Sequence, residues 1–138
     1  MPIAYHVDRR GRFVLAVAYG KLTDADVFGY QRSVWSRPDV IGYDELIDMT
    51  RVAEMEVPSA DRIRDLAQVA AAMDHEGTAS RLAIVASADL AFGLGRMFQT
   101  YRQLNAHSTK DTRVFRRMEE ALAFLQIDHP LAMPELSA

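Results

Sequence analysis

The sequence contains no cysteine among its 138 residues. Without a thiol, the chain forms no disulfide bond, performs no thiol catalysis and offers no cysteine ligand to a metal. It also has no apolar run near the roughly 18 residues that a membrane helix needs. Its start, MPIAYHVDRRGRF, lacks the apolar segment of a signal peptide. We therefore expect a cytoplasmic protein that does not span a membrane.

Positive charge is not in excess either, because 16 lysine and arginine residues face 19 aspartate and glutamate residues. Nucleic-acid-binding domains usually carry a basic face, so we expect no nucleic-acid partner. The 49% of hydrophobic and 25% of charged residues are typical of a globular chain, and the length suits one core. We predict a single domain over residues 1–127, followed by a C-terminal tail over residues 128–138 that contains two prolines.

Motifs for metals and nucleotides are missing as well. Gly93 and Gly95 match part of the dinucleotide fingerprint G-x-G-x-x-G, but Phe98 occupies the next glycine position. We therefore expect no cofactor, and we expect these glycines to bring a helix close to a sheet. The histidines are scattered, with no second ligand at helical spacing, so we expect no metal site; they are His6, His75, His107 and His129.

Five apolar segments have the character of β-strands. Residues 3–8 alternate apolar and polar side chains, and residues 13–20 form a more continuous apolar run. The glycine-containing turn between them predicts a β-hairpin. Three further strands are predicted over residues 43–50, 81–87 and 112–117.

Segments with helical spacing follow each strand after the hairpin. Thr23 or Asp24 can cap the first helix, and Pro38 ends it because the residue before a proline avoids helical backbone angles. The other helices begin near Asp61, Asp89 and Met118. The order β-β-α-β-α-β-α-β-α predicts an α/β fold: a mixed five-stranded sheet, with an N-terminal antiparallel hairpin, then parallel strands, and helices packed on it.

Three phrases carry a resemblance to a known family: RVFRRMEEALAFL at 113–125, FGLGRMFQTY at 92–101 and ELIDMT at 45–50. They are similar to the C-terminal ending, the penultimate helix and the central strand of the SpoIIAA-like branch of the STAS superfamily. The resemblance implies a SpoIIAA/STAS-like fold. It also implies a non-enzymatic binding or regulatory module with a protein partner.

The resemblance also directs attention to the start of the second helix. In STAS anti-sigma-factor antagonists, a serine at this helix N-terminus is phosphorylated, and helix N-termini favour phosphate. When Asp48-Met49-Thr50 is matched to the family's strand end, Pro58 occupies the phosphoacceptor position and Ser59 lies one residue beyond. We interpret Ser59 as a helix N-cap, with a displaced phosphoacceptor or anion site as the alternative.

Polar residues follow the predicted central strands, where α/β folds place ligands. We hypothesise that these residues converge at one edge of the sheet, and that they and Ser59 bind a ligand or partner. No acid–base pair and no nucleophile–base pair is legible, and the resemblance implies that the protein is not an enzyme. A small enzyme that uses Asp48 and Asp89 is the second alternative. The candidate residues are Asp48, Thr50, Ser59, Ser87, Asp89 and Arg96.

The first alternative is a carrier of an apolar or lipid-like small ligand, implied by a structural similarity between the SpoIIAA-like branch and CRAL-TRIO lipid-transfer domains. An enclosed apolar cavity under the third helix would favour this carrier. Two close carboxylates with raised pKa values would favour the enzyme. An exposed flat apolar patch would favour the protein-binding module.

The third helix is apolar over more than one face. We predict an inward stripe on this helix, and Phe92 points away from that stripe. The tail carries apolar residues that could cover such a surface. We therefore predict a homodimer whose contacts include Phe92, Met97, Leu131 and Met133. The predicted inward stripe comprises Leu90, Leu94, Met97, Phe98 and Tyr101.

Overall fold

A computed structural model describes residues 2–136, so the last two residues of the predicted tail lie outside the described residues. Within this range the chain forms five strands and four α-helices, with a 3-10 turn after the first helix. The elements are β1 (Ile3–Asp8), β2 (Phe13–Leu22), α1 (Asp24–Trp35), the turn Pro38–Val40, β3 (Asp44–Met55), α2 (Ala60–Ala72), β4 (Ser80–Val85), α3 (Asp89–Leu104), β5 (Lys110–Phe115) and α4 (Met118–Leu125).

The strands lie in one sheet in the order β1-β2-β3-β4-β5. β1 pairs with β2 in antiparallel orientation, and β2, β3, β4 and β5 pair in parallel. Helices α1, α2 and α3 connect the parallel neighbours, as parallel strands require a crossover. The predicted mixed sheet with an opening hairpin is confirmed.

β3 is longer than the predicted strand, since it continues from Thr50 to Met55. The extension pairs with the end of β2, where Leu22 lies opposite Met55, after register shifts near Gly20. Gly20 has φ +65°, a backbone angle that glycine adopts without steric cost. The charged residues of the extension hid this strand from the sequence pattern, because only Val52 and Met55 turn toward the apolar interior.

The sheet has two differently covered faces. Helices α1, α2 and α3 cover the three-helix face, where strand residues such as Ala16 and Ile47 meet the helices. Helix α4 and part of the tail cover the one-helix face, where Leu46 and Val85 pack against Leu125. Because side chains alternate along a strand, each strand contributes to both faces.

α3 turns a different side to the sheet than the apolar pattern predicts. Its buried positions are Ala91, Gly95 and Arg102, whereas Leu90 and Met97 of the predicted inward stripe are exposed. A Cβ at position 95 would lie only 3.2 Å from Val114 Cγ1, so this glycine permits the close approach that we expected. A Cβ at position 93 would meet nothing within 4 Å, so the expectation was wrong for Gly93. The helix turns its small residues to the sheet, and three of its large apolar residues, Leu90, Met97 and Leu104, are exposed.

Candidate functional site

An apolar cavity of about 110 Å³ lies on the three-helix face. The strands form its floor with Ala16, Ile47 and Ile84, and the helices form its roof. The lining follows β3 from Glu45 to Met55, almost the whole strand, so the cavity is elongated. Helix residues that complete the wall include Val27, Ile63, Leu66, Ala91, Leu94 and Phe98.

The two ends of the cavity differ in exposure. Glu56 lines the outer end and is exposed, beside the partly exposed Asp24. Tyr30 and Glu45 line the inner end and are buried. The outer end lies where the β3–α2 connection meets the N-terminus of α1, and it forms the mouth of the cavity.

The inner end is a network of buried polar groups centred on the Glu45 carboxylate. Oε2 accepts hydrogen bonds from the Tyr30 hydroxyl at 2.8 Å and from Trp35 Nε1 at 3.0 Å. Oε1 accepts a hydrogen bond from Lys110 Nζ at 3.1 Å, which makes a buried ion pair. Lys110 Nζ also lies 3.0 Å from the centroid of the Trp35 ring. Every charge of the network is therefore matched by a partner.

Burial changes the proton affinities in this network. Desolvation lowers the pKa of Lys110, although the neighbouring Glu45 carboxylate raises it in part. Desolvation also raises the pKa of Tyr30 well above its ordinary value, and the Glu45 charge adds to that rise. Both shifts follow from removing water around a charged form. Tyr30 consequently stays a neutral hydrogen-bond donor beside Glu45.

A second buried ion pair holds the far end of α3. Arg102 Nη2 donates to both carboxylate oxygens of Asp74, at 2.7 and 2.8 Å. Asp74 also accepts a hydrogen bond from the Thr109 backbone N–H at 2.8 Å. Both side chains are almost fully buried. This pair ties α3 to the connections before β4 and β5, so it fixes the roof over the sheet.

Asp48 and Thr50, which the sequence placed at a ligand-binding edge, form a local pair in β3. Asp48 is buried, and its Oδ1 accepts hydrogen bonds from the Thr50 backbone N–H at 2.8 Å and hydroxyl at 2.7 Å. Its side chain lies on the one-helix face, because the alternating residues Glu45, Ile47 and Met49 line the cavity on the other side. The pair is thus turned away from the cavity.

Ser87, Asp89 and Arg96 lie around the first two turns of α3. Arg116 Nη1 donates to the Ser87 carbonyl oxygen at 3.2 Å and to Asp89 Oδ1 at 2.6 Å. The Arg96 guanidinium lies 6.0 Å from the centroid of the Phe92 ring. These residues form an exposed polar group at the helix start.

The two polar groups have separate partners. Within residues 2–136, no hydrogen bond or ion pair joins Asp48 or Thr50 to Ser87, Asp89 or Arg96. The structure therefore does not assemble the predicted residues into one hydrogen-bonded site. That any of them binds a ligand or partner stays a prediction.

Ser59 is the N-cap of α2, since its Oγ accepts a hydrogen bond from the Arg62 backbone N–H at 3.2 Å. This confirms the structural interpretation of the residue. Pro58, at the position that the family resemblance matches to a phosphoacceptor, lines the cavity instead. The strand-to-helix connection therefore forms part of the cavity mouth.

The residues predicted for a dimer contact lie on both faces of the molecule. Phe92 lies under the Arg116 guanidinium, 4.1 Å from it, and Met97 is exposed. Leu131 packs against the apolar cluster of the one-helix face, and Met133 is exposed. The tail therefore covers its own chain on the side opposite α3, and the homodimer stays a prediction.

Sequence reasoning missed the buried charges. Glu45 alternates with Ile47 and Met49, which is the signal of a residue on the covered side of a strand. Lys110 occupies the same kind of position in β5, where it lies on the same side of the strand as Thr112 and Val114. A charge in such a position requires a buried partner. Glu45 and Lys110 have opposite charges at such positions, and this could have predicted that they form a pair.

The fold is SpoIIAA-like, so the resemblance found in the sequence is confirmed at the level of the fold. The structure is similar to the crystal structure of an uncharacterized protein of the DUF3478 family with a SpoIIAA-like fold, from Shewanella loihica PV-4. The TM-score is 0.55 and the sequence identity 21%, and the match covers 89% of this chain and 93% of that chain. No protein-family model and no curated protein matches the sequence.

Among the residues that the structure describes, no helix is long and apolar enough to cross a membrane. The same part of the chain contains no group of three or more histidine, aspartate or glutamate residues arranged to hold a metal ion.

Proposed function

We propose that the protein is a non-enzymatic binding module that holds a small apolar ligand in the cavity of the three-helix face. The observation that supports this function is the position and lining of the cavity, which is elongated, mostly apolar and roofed by α1, α2 and α3. Ligand sites in proteins are typically concave and apolar with few polar groups. This arrangement corresponds to the carrier among the three functions considered from the sequence.

The volume sets the size of the ligand. An engineered apolar cavity of about 150 Å³ stays dry and binds benzene, so about 110 Å³ suits a small hydrocarbon group. Because the lining runs along β3 and opens at Glu56, a straight aliphatic chain fits better than a bulky ring system. Met49 and Met55 add flexible side chains to the wall, which adjust to different chains.

The chain-length dependence of binding tests this function. Straight-chain alcohols from butan-1-ol to decan-1-ol would be titrated by calorimetry. Each buried methylene contributes about 0.8 kcal/mol, so the affinity should rise about fourfold per carbon and then level off when the cavity is full. Absence of binding by every alcohol, or an increase without a plateau, would overturn the proposal.

Two variants distinguish binding of the alcohols in the cavity from binding at the surface. Ala91→Leu places a larger side chain in the cavity wall and should shorten the longest alcohol that binds well. Ala123→Leu makes the same change at an exposed position of α4, on the other side of the sheet, and should leave the binding unchanged. Equal effects of the two variants would show that the alcohols bind elsewhere.

We propose self-association through α3 as a second function, on the basis of its exposed apolar residues. Leu90, Met97 and Leu104 are 48%, 36% and 78% exposed, and their spacing of seven places them on one face of the helix. Met97 lies midway between the other two. A two-fold axis near Met97 would lay Leu90 of each copy against Leu104 of the other, which gives a closed dimer.

Sedimentation of the full chain tests this association. The wild-type protein should be a dimer at tens of micromolar concentration, and Met97→Glu should be a monomer because two like charges would meet at the axis. Gln103→Glu adds the same charge to an exposed position of α3 off this face and should remain a dimer. A monomeric wild-type protein at high micromolar concentration would contradict the association.

A further inference from the structure

The charged residues of the cavity wall are all of one sign. Asp24, Glu45 and Glu56 line it, and none of the described lining residues is lysine, arginine or histidine. A ligand with a charged head group therefore meets carboxylates along the wall.

Two of these carboxylates are neutralised by cations from outside the lining. Lys110 pairs with Glu45 at the inner end. Arg62 Nε lies 2.7 Å from Asp24 Oδ2, and this contact lowers the pKa of Asp24. Both carboxylates are consequently occupied, and neither attracts a ligand with its full charge.

Glu56 differs from them, because no hydrogen bond or ion pair of its side chain exists within residues 2–136. It is exposed at the mouth, where a head group would remain in water while an aliphatic tail fills the apolar interior. At the mouth, Glu56 thus contributes one uncompensated negative charge.

The helix N-termini at the mouth could have favoured a ligand with a negatively charged head group. α1 and α2 both begin at the mouth, and the partial positive charge of a helix N-terminus attracts anions. However, Thr23 and Asp26 form a reciprocal capping box on α1, and Ser59 caps α2. Acidic residues in the first turns, Asp24 and Asp26 on α1 and Asp61 on α2, further offset these dipoles. The caps also use the backbone N–H of Asp26 and that of Arg62, which an anion would otherwise find free.

We propose that the cavity selects amphiphiles with a cationic head group over those with a carboxylate. The ligand enters tail first, and its ammonium group stays at the mouth beside Glu56. An alkyl alcohol of equal length binds with intermediate affinity, because it lacks both the attraction and the repulsion. This specificity rests on the proposed ligand-binding function.

Three probes of equal chain length test the selection: octylamine, octan-1-ol and octanoate, titrated at neutral pH and low salt. The expected order of affinity is octylamine, then octan-1-ol, then octanoate. Exposed charge pairs have modest energies, so Glu56→Gln should weaken octylamine about twofold and strengthen octanoate about twofold. The ratio of the octylamine affinity to the octanoate affinity then falls about fourfold, whereas the affinity for octan-1-ol changes less than either of them.

Glu54→Gln provides the matched control. Glu54 is an exposed glutamate of β3, two residues before Glu56, and does not line the cavity. The Glu54→Gln variant removes the same overall charge as Glu56→Gln, but at a position outside the cavity. It should therefore change the ratio of the octylamine to the octanoate affinity less than Glu56→Gln does. Equal changes in the two variants would show that only the net charge matters, which would overturn the role of Glu56.

The outcomes distinguish the selection from the binding function. If octan-1-ol does not bind, the proposed ligand-binding function itself fails. If octan-1-ol binds and octanoate binds as tightly as octylamine or more tightly, the cavity binds ligands but the charge selection is wrong. A clear preference for octanoate would mean that the helix N-termini determine the preferred head group.

Discussion

The two faces of the sheet are formed by the same strands, but they are packed differently. On the one-helix face, Leu46, Ala83 and Val85 meet α4 in an apolar cluster. On the three-helix face, the alternate residues of the same strands border a cavity and a buried network that includes Glu45. The comparison shows that one strand can supply close apolar packing on one side and open space with buried charge on the other.

The difference has an energetic meaning. Protein interiors are normally packed as closely as organic crystals, so a cavity gives up favourable contacts. Buried ion pairs are at best a modest source of stability, although removing one partner is strongly destabilising. The three-helix face therefore contains the features that stability alone does not require, which is what we expect of a binding site.

The largest expected effect comes from breaking the buried ion pair. Lys110→Met leaves the Glu45 carboxylate buried without its cation and should lower the free energy of unfolding by about 4 kcal/mol. Urea denaturation of the variant beside the wild-type protein measures the loss. The double variant Lys110→Met/Glu45→Leu removes both charges and should recover most of the stability. If it is no more stable than the single variant, the loss of stability comes from the packing around Lys110 and not from the unpaired charge.

A matched pair of alanines compares the packing of the two faces. Ala16 borders the cavity and Ala83 lies in the cluster of the one-helix face, and both are fully buried. Ala83→Val should destabilise the protein by about 2 kcal/mol through overpacking. Ala16→Val should be neutral or stabilising because its methyl groups enter open space. Thermal unfolding would measure both, and equal losses would mean that the cavity wall cannot accept added volume.

The contribution of Tyr30 to the stability of the protein depends on pH. Tyr30→Phe removes the hydrogen bond to Glu45 and should cost about 1.5 kcal/mol at neutral pH. The folded-state pKa of Tyr30 is raised above its ordinary value of 10.0. Above pH 10 the unfolded tyrosine therefore loses its proton while the folded one keeps it, and this contribution to stability falls with rising pH. The difference between the variant and the wild-type protein should narrow as the pH rises from 9 to 11.

The pH dependence of that difference isolates Tyr30 from its neighbour. The lowered pKa of Lys110 acts in the opposite direction, because the unfolded lysine holds its proton to higher pH than the folded one. Both proteins retain Lys110, so its direct contribution is common to them. A difference that stays constant across this range would contradict the raised pKa of Tyr30.

The smallest effect concerns the helix starts. Ser59 caps α2 at the cavity mouth, whereas α4 on the other face has Arg117 at its N-cap without a side-chain hydrogen bond. Ser59→Ala should cost about 1 kcal/mol, and Arg117→Ala should have no effect beyond a few tenths. Chemical denaturation would compare them. Stoichiometric phosphate at Ser59 in cells would overturn the view that this serine is only a cap.

Local patterns predicted the elements because they depend on neighbours in the sequence. The alternation of residues 3–8 and the apolar segment of 81–87 became β1 and β4. Thr23 and Ser59 are the caps that their side chains favour. The inward side of α3 was predicted wrongly in part, because apolarity alone did not show that Ala91 and Gly95 face the sheet. The close approach to Val114 determined that orientation.

The sequence by itself determined the order of strands and helices, and from that order the mixed sheet, while the resemblance of three phrases to a family implied the SpoIIAA-like fold. Periodicity and capping act over a few residues, so these features are legible without a structure. Only the tertiary structure decided that Glu45 meets Lys110, since these residues are distant in the chain and belong to different strands. The cavity was likewise decided by how far three helices stand from the sheet. That distance depends on packing among residues from every part of the chain, and no local pattern records it.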